Sequence, residues 1–205
     1  CIRDSFPLDD RGFELFGARF RDLSPHPTSR KYVYRPPMSP IPGQASAAIG
    51  GRSFDLTATI TRKKNDHGVL FSTGTENSGI SIFIQNERLV VDYNAFDDHS
   101  VVTSNIEIPT GYSTLRAQFQ RIKKGGEITI YVNEEPTGSV RIPLFMRMIS
   151  SVGSSIGYDH GSAVSPQYES PFPFSGELHQ IEIQLAAKRA PDADEAQARA
   201  ENARQ

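Results

Sequence analysis

The residues of this chain best suited to chemistry fall in two short runs. Asp97, Asp98 and His99 follow Asn94, and Asp159 and His160 open a loop that runs to Gly176. Carboxylates beside an Asn can ligate calcium through oxygen, and a His can join a transition metal. Their spacing fits neither an EF-hand loop nor a zinc motif, so solvated or turn-capping acids are the plainer reading. Tyr93, Tyr158, Tyr168 and Phe172 have rings that could stack on a sugar face, although such rings also fill cores and rims. Asp97, Asp98, Asp159, Tyr168 and Phe172 therefore stand as a candidate ligand or interdomain surface.

Nucleophiles and phosphate cradles are poorer candidates. Cys1 has no base near it in sequence. Ser150, Ser151, Ser154 and Ser155 are assigned no nucleophile elbow, and residue types alone do not make a triad. No phosphate-binding glycine loop is present, and Lys123, Lys124, Gly125 and Gly126 read as a basic hairpin tip. No catalytic, cofactor-binding or metal-ligating residue is assigned.

The elements that position these groups are strands. Phe54, Leu56, Ala58 and Ile60 alternate, as do Ile80, Ile82 and Ile84, and Leu89, Val91 and Tyr93. Leu115, Ala117 and Phe119, then Ile128, Ile130 and Val132, repeat the pattern, and Val140 and Ile142 continue it. Gly68–Thr73 is a nearly continuous apolar run. Such runs about 10 residues apart, each ended by turn residues, predict a sandwich or barrel. Gln85–Glu87 and Asn133–Gly138 read as hairpin turns. Leu178 has the opposite parity to Ile181, Ile183 and Leu185, which predicts a bulge, or a switch of buried face, near His179 and Gln180. The loop before this last strand ends Pro-Phe-Pro-Phe (171–174), so it is stiff and has rings to bury.

The flanks differ in character. Phe13, Leu15, Phe16 and Phe20 recur at helical spacing, so Asp10–Arg21 predicts a short helix after an extended start. Residues 23–51 are rich in Pro, Ser and Gly, which suits an extended connector. Within it Lys31–Arg35 is a candidate edge strand, and Tyr32, Val33, Tyr34, Met38 and Ile41 argue for docking. After Leu185 the chain is rich in Ala, Glu, Arg and Gln, which predicts a solvated helical tail.

Composition sets outer bounds. The chain has 205 residues and a formal net charge of −2, so no strong field points to nucleic acid or an anionic membrane. No apolar run approaches the length of a membrane-spanning helix. Cys1 is the sole cysteine, which excludes an intramolecular disulfide and suits cytoplasm and periplasm equally. The chain opens CIRDSF without an initiator methionine, which points to a fragment of a longer protein.

Two resemblances follow from particular segments. His67–Asn94 (HGVLFSTGTENSGISIFIQNERLVVDYN) is similar to the laminin-G/concanavalin-like jelly-roll pattern. FPLDDR (6–11), YNAF (93–96) and YESPFPFSGELHQIEIQL (168–185), in that order, resemble the C-terminal region of bacterial arylsulfatases. The second resemblance implies a sandwich that packs on an upstream catalytic domain of the same polypeptide. That domain would carry a calcium ion and a formylglycine made from a Cys/Ser-x-Pro-x-Arg element. The element is absent here: Cys1 is followed by Ile, Arg and Asp, and Ser24 and Ser39 both fail the pattern.

The expected fold is therefore all-β, an antiparallel jelly-roll sandwich with an N-terminal extended and short-helical segment and a C-terminal helical tail. Its expected parts are 1–22 as the end of the catalytic domain, 23–51 as connector, 52–185 as sandwich and 186–205 as tail. The leading expectation is a non-catalytic part of a sulfate ester hydrolase, inactive alone. The alternative is a free-standing laminin-G-like module that binds carbohydrate or protein.

Overall fold

A computed structural model describes residues 30–43, 45–146 and 152–186. The expected helix at 10–21, the segment 1–22 and the tail after Ala186 lie outside the described residues. Among those residues there is no helix, and so none long and apolar enough to cross a membrane.

The strands are β1 (Arg30–Tyr34), β2 (Phe54–Arg62), β3 (Gly68–Thr75), β4 (Ser78–Gln85), β5 (Arg88–Ala95) and β6 (His99–Thr103). They continue as β7 (Gly111–Ile122), β8 (Gly125–Val132), β9 (Glu135–Ile142), β10 (Ser154–Ile156) and β11 (Glu177–Leu185). They form two sheets, a six-stranded one in the order β1-β11-β2-β7-β8-β9 and a five-stranded one in the order β10-β3-β4-β5-β6. All ladder pairs between strands are antiparallel, so the molecule is an all-β antiparallel sandwich.

The predicted alternation builds the core between the sheets. Phe54, Leu56, Ala58 and Ile60 of β2 meet Leu115, Ala117 and Phe119 of β7, with Phe54 and Phe119 stacked 4.3 Å apart. From the other sheet come Ile80, Ile82, Ile84, Leu89, Val91 and Tyr93. Tyr34, Ile41 and Ile49 belong to the same core, so the described part of the Pro-rich stretch is built into the sandwich. As expected, β1 is an edge strand.

Two irregularities explain sequence patterns that simple alternation does not. The predicted bulge in β11 lies between Leu178 and Gln180. With His179 as the extra residue, Leu178 opposite Ile60 and Ile181 opposite Ala58 both reach the core side. A second shift, between Val69 and Phe71, lets both Leu70 and Phe71 join the core and turns Val69 to the opposite face. A bulge is what makes this short run read as continuously apolar.

One turn is shorter than the sequence suggests. Asn133 and Glu134 alone make the turn, with φ of +49° and +69°, and β9 begins at Glu135 rather than after Gly138. Two successive left-handed residues close a tight hairpin whose twist matches its strands. Pro136 then sits on the edge strand beside a register shift, where no ladder donor is lost. The short strand β6 was not foreseen, and it takes His99 out of the loop and into the sheet.

The two sheets differ on their outer faces. β2 alternates strictly between buried and partly exposed positions, whereas β3, β4 and β5 are buried on both sides. The reason is the segment 157–176, which covers the outer face of the five-stranded sheet. A small second core forms there from Val69, Phe83, Val90 and Tyr168, with Phe172 and Ala163 against it.

Candidate functional site

Segment 157–176 is held by backbone bonds along its length. Gly157 N donates to Leu70 O (2.9 Å), Val69 N to Phe172 O (2.9 Å) and Ser175 N to His67 O (2.9 Å). Beneath it the outer face of the sheet carries an apolar row, Val69–Phe83–Val90, and a polar row, Ser72–Ser81–Asp92. Tyr168 matches both rows. Its ring meets Phe83 edge-on at 5.0 Å, and its hydroxyl reaches the serine row.

Asp159 is the hub of this interior network. Its Oδ2 accepts from Tyr168 Oη (2.6 Å) and Val164 N (3.2 Å), and its Oδ1 accepts from Ser72 Oγ (3.1 Å). Because the phenol proton points to the carboxylate, the Ser81 hydroxyl is the donor to Tyr168 Oη (2.8 Å). Asp159 and Tyr168 are 1% and 8% exposed, so both face inward and neither side chain presents a surface. Burial, reinforced by the bond to Asp159, holds the Tyr168 phenol above its ordinary range. Tyr93, also once a stacking candidate, is wholly inside the main core, where its hydroxyl accepts from Met146 N. Burial pushes its pKa from 10.0 up to about 12.

These two phenols predict alkaline instability. A folded-state pKa raised above the unfolded one gives stability that is complete below the unfolded value and lost as pH climbs through the folded one. For Tyr93 the window runs from 10.0 to about 12, a loss of about 3 kcal/mol. Urea melts between pH 8 and pH 12 should show this fall, and Tyr93→Phe should flatten it. An unchanged slope in Tyr93→Phe would refute the assignment.

The five residues expected to form one surface are separated. Asp97 and Asp98 lie at the β5–β6 tip, beside the Ser78–Ala95 end of the sheet. Phe172 lies at the opposite end, near Val69, and is half-buried with φ +39°. Asp159 and Tyr168 lie beneath the covering segment. Asn94 links these regions: its Oδ1 accepts from Asp97 N (2.8 Å), and its Nδ2 donates to Val164 O (3.3 Å). His99 Nδ1 donates to the fully buried Asp92, whose oxygens are 2.9 and 3.0 Å away. Among the described residues no three His, Cys, Asp or Glu side chains gather as a metal site would require.

The serines need one correction. Contrary to the expectation of no elbow, Gly153-Ser154-Ser155-Ile156-Gly157 does have Gly-x-Ser-x-Gly spacing. Ser155 Oγ hydrogen-bonds His160 Nδ1. Yet Ser155 is 1% exposed and paired to Ser72 within the ladder, and no helix follows it among the described residues. The neighbouring carboxylate, Asp159, is engaged by Ser72, Tyr168 and Val164. A nucleophile elbow needs an exposed Oγ on a sharp strand-to-helix turn, so this pair is structural.

One open groove lies where the β2–β3 turn, the β4–β5 turn and Phe172 meet. It has a volume of about 480 Å³ and is lined by Asn65, Asp66, His67, Gln85, Asn86, Glu87 and Phe172. His67 stacks on Phe172 at 5.5 Å, and Phe172 stacks on Tyr168 at 5.2 Å, so near-parallel rings step from interior to surface. His67 Nδ1 donates to Asn65 O (2.9 Å), which leaves Nε2 as the acceptor of the neutral ring.

Both acids of the groove are held rigidly. Asp66 Oδ2 accepts from Lys63 N (2.6 Å) and Oδ1 from Ser175 Oγ (3.0 Å). The Lys63 amide is the main reason its carboxyl titrates below the usual range. Glu87 is lowered chiefly by Arg62 and next by the Asn65 amide. Arg62 is buried, bonds Glu87 and also donates to Ile108 O (2.5 Å), so it fixes Glu87 from within.

Sequence reading found Phe172 and missed the other lining residues. They look like turn punctuation, and Asn65, Asn86 and Glu87 do take left-handed φ of +69°, +50° and +63°. The available signal was two polar turns flanking buried strands, since loops on a rigid scaffold often carry binding.

No family model matches the chain, and no curated protein matches it. Among solved structures it is similar to mouse laminin alpha1 chain domains LG4-5 (TM-score 0.44, 13% identity, 78% of this chain and 41% of that one). It is also similar to the botulinum neurotoxin serotype D binding domain (TM-score 0.44, 10% identity, 76% and 36% covered). A third similar structure is Caenorhabditis elegans galectin LEC-6 (TM-score 0.41, 13% identity, 75% and 95% covered). The chain thus spans less than half of the laminin and neurotoxin structures. None of these findings supports a sulfatase origin.

Proposed function

We infer that this sandwich is a non-catalytic binding module and that the groove at His67 and Phe172 takes a saccharide. One observation carries the reading: an aromatic stack surfaces beside a ring of planar polar groups on tight turns. A sugar offers C–H faces to a ring and hydroxyls to carboxylates and amides, so it satisfies both halves of the lining. His67 is the exposed member of the stack and can be changed without disturbing the core. His67→Ala should weaken saccharide binding about tenfold and change unfolding free energy by less than about 0.5 kcal/mol. Titration calorimetry with both proteins checks this; equal affinities would remove the groove from consideration.

The order of FPLDDR, YNAF and 168–185 favours a second reading, the C-terminal sandwich of a sulfatase-like polypeptide. Phe96 of YNAF is 70% exposed at φ +60°, an apolar contact that a catalytic domain could cover. Calcium and formylglycine would then belong to that domain. An upstream reading frame with a Cys/Ser-x-Pro-x-Arg element decides the matter.

A further inference from the structure

The donor and acceptor balance of the groove sets the class of saccharide it suits. Most of the donors at the groove are already engaged within the protein. Lys63 N and the Ser175 hydroxyl serve Asp66, while Arg62 and Asn65 N serve Glu87. Gln85 Nε2 donates to Gln167 O (3.0 Å), and His67 Nδ1 donates to Asn65 O. The capacity left over is mostly accepting: each carboxylate oxygen keeps a lone pair, Gln85 keeps Oε1, and His67 keeps Nε2. The side-chain amides of Asn65 and Asn86 each add donors and an acceptor, so they do not reverse that balance.

Charge points the same way. The Arg62 guanidinium offsets Glu87, whereas Asp66 is held by a neutral amide and a hydroxyl. Lys63 and Lys64 lie on the same turn but outside the lining, and their charges are the weakest of the influences on Asp66 and Glu87. An incoming sulfate or carboxylate has only acceptors to offer, and it would face Asp66 and Glu87 with no free cation in the lining. A hydroxyl or ammonium group would donate to them.

We propose that the groove selects donor-rich saccharides, neutral or amine-bearing, and rejects sulfated and uronic ones. This inference rests on the saccharide reading above. It separates the ligand of this groove from the sulfated substrates that a sulfatase parent would process.

The test titrates the purified chain with a neutral glucose oligomer, a glucosamine oligomer and a chondroitin sulfate oligomer. The first two should bind, with the sulfated one at least about tenfold weaker. Asp66→Asn retains an acceptor for Lys63 N and removes the charge. It should weaken the glucosamine oligomer about tenfold and alter the neutral one by less than about threefold. Preference for the sulfated oligomer, lost in His67→Ala, would overturn the selectivity and leave the saccharide reading standing. Absence of binding to all three, or binding indifferent to His67→Ala, would overturn both.

Discussion

Replacing Asp159 by alanine is expected to lower the unfolding free energy by about 4 kcal/mol. The change strands the Val164 amide and leaves the Ser72 and Tyr168 hydroxyls only their weaker or reversed bonds to Tyr158 O and Ser81, since all three donors converge on this one carboxylate. Each is a buried donor, and an unmet buried donor costs about 1–3 kcal/mol. Asp159→Asn keeps one carbonyl for Tyr168 and Val164 and turns its amide toward Ser72, whose hydroxyl can accept. Its loss should be nearer 1–2 kcal/mol. Denaturant melts give both numbers, and hydrogen exchange at Val164 reports whether the covering segment loosens first. Equal, small losses for Ala and Asn would show that packing of Tyr168 and Phe172, rather than the hub, holds the segment.

A comparable effect is expected from a single methyl group at Gly68. The residue has φ +121°, and a Cβ there would lie 2.2 Å from Pro173 O and 2.5 Å from Phe174 Cα. Both contacts are backbone, so no side chain can turn aside. Gly68→Ala adds left-handed strain to this overlap and should cost about 3 kcal/mol or more. The damage should concentrate where segment 157–176 meets β3. Protection of the Val69 amide, bonded to Phe172 O, should fall more than that of the β2–β7 ladder. Gly161→Ala, with nothing within 4 Å of its Cβ, is the matched control and should stay within about 0.5 kcal/mol. If both variants are equally mild, the close approach at Gly68 has been relieved by backbone movement.

These two positions show why the segment matters to the groove. Phe172 lines it, and Ser175 holds its Asp66, because the segment is locked at Asp159 and allowed to approach at Gly68. The loop was legible as stiff and aromatic because its Pro-Phe-Pro-Phe run is local. Its partner surface was only hinted at, by an apolar Phe83 at an outward position in an alternating strand.

Features that depend on neighbours a few residues apart are legible in the chain without its fold. Alternation at Phe54–Ile60, Ile80–Ile84 and Ile128–Val132 specified strands and their core faces, because side chains switch faces at every residue. The parity break after Leu178 specified a bulge for the same reason, and Asn86–Glu87 and Lys123–Lys124 specified hairpin tips. Tertiary structure alone decided which distant groups share a site. It carried Asp97 and Phe172 to opposite ends of one sheet, enclosed Asp159 with Tyr168, and set Asn65–His67 beside Gln85–Glu87. Antiparallel pairing of β3 with β4 and of β4 with β5 fixes those distances through long-range register, and no local pattern encodes which face a returning loop will cover.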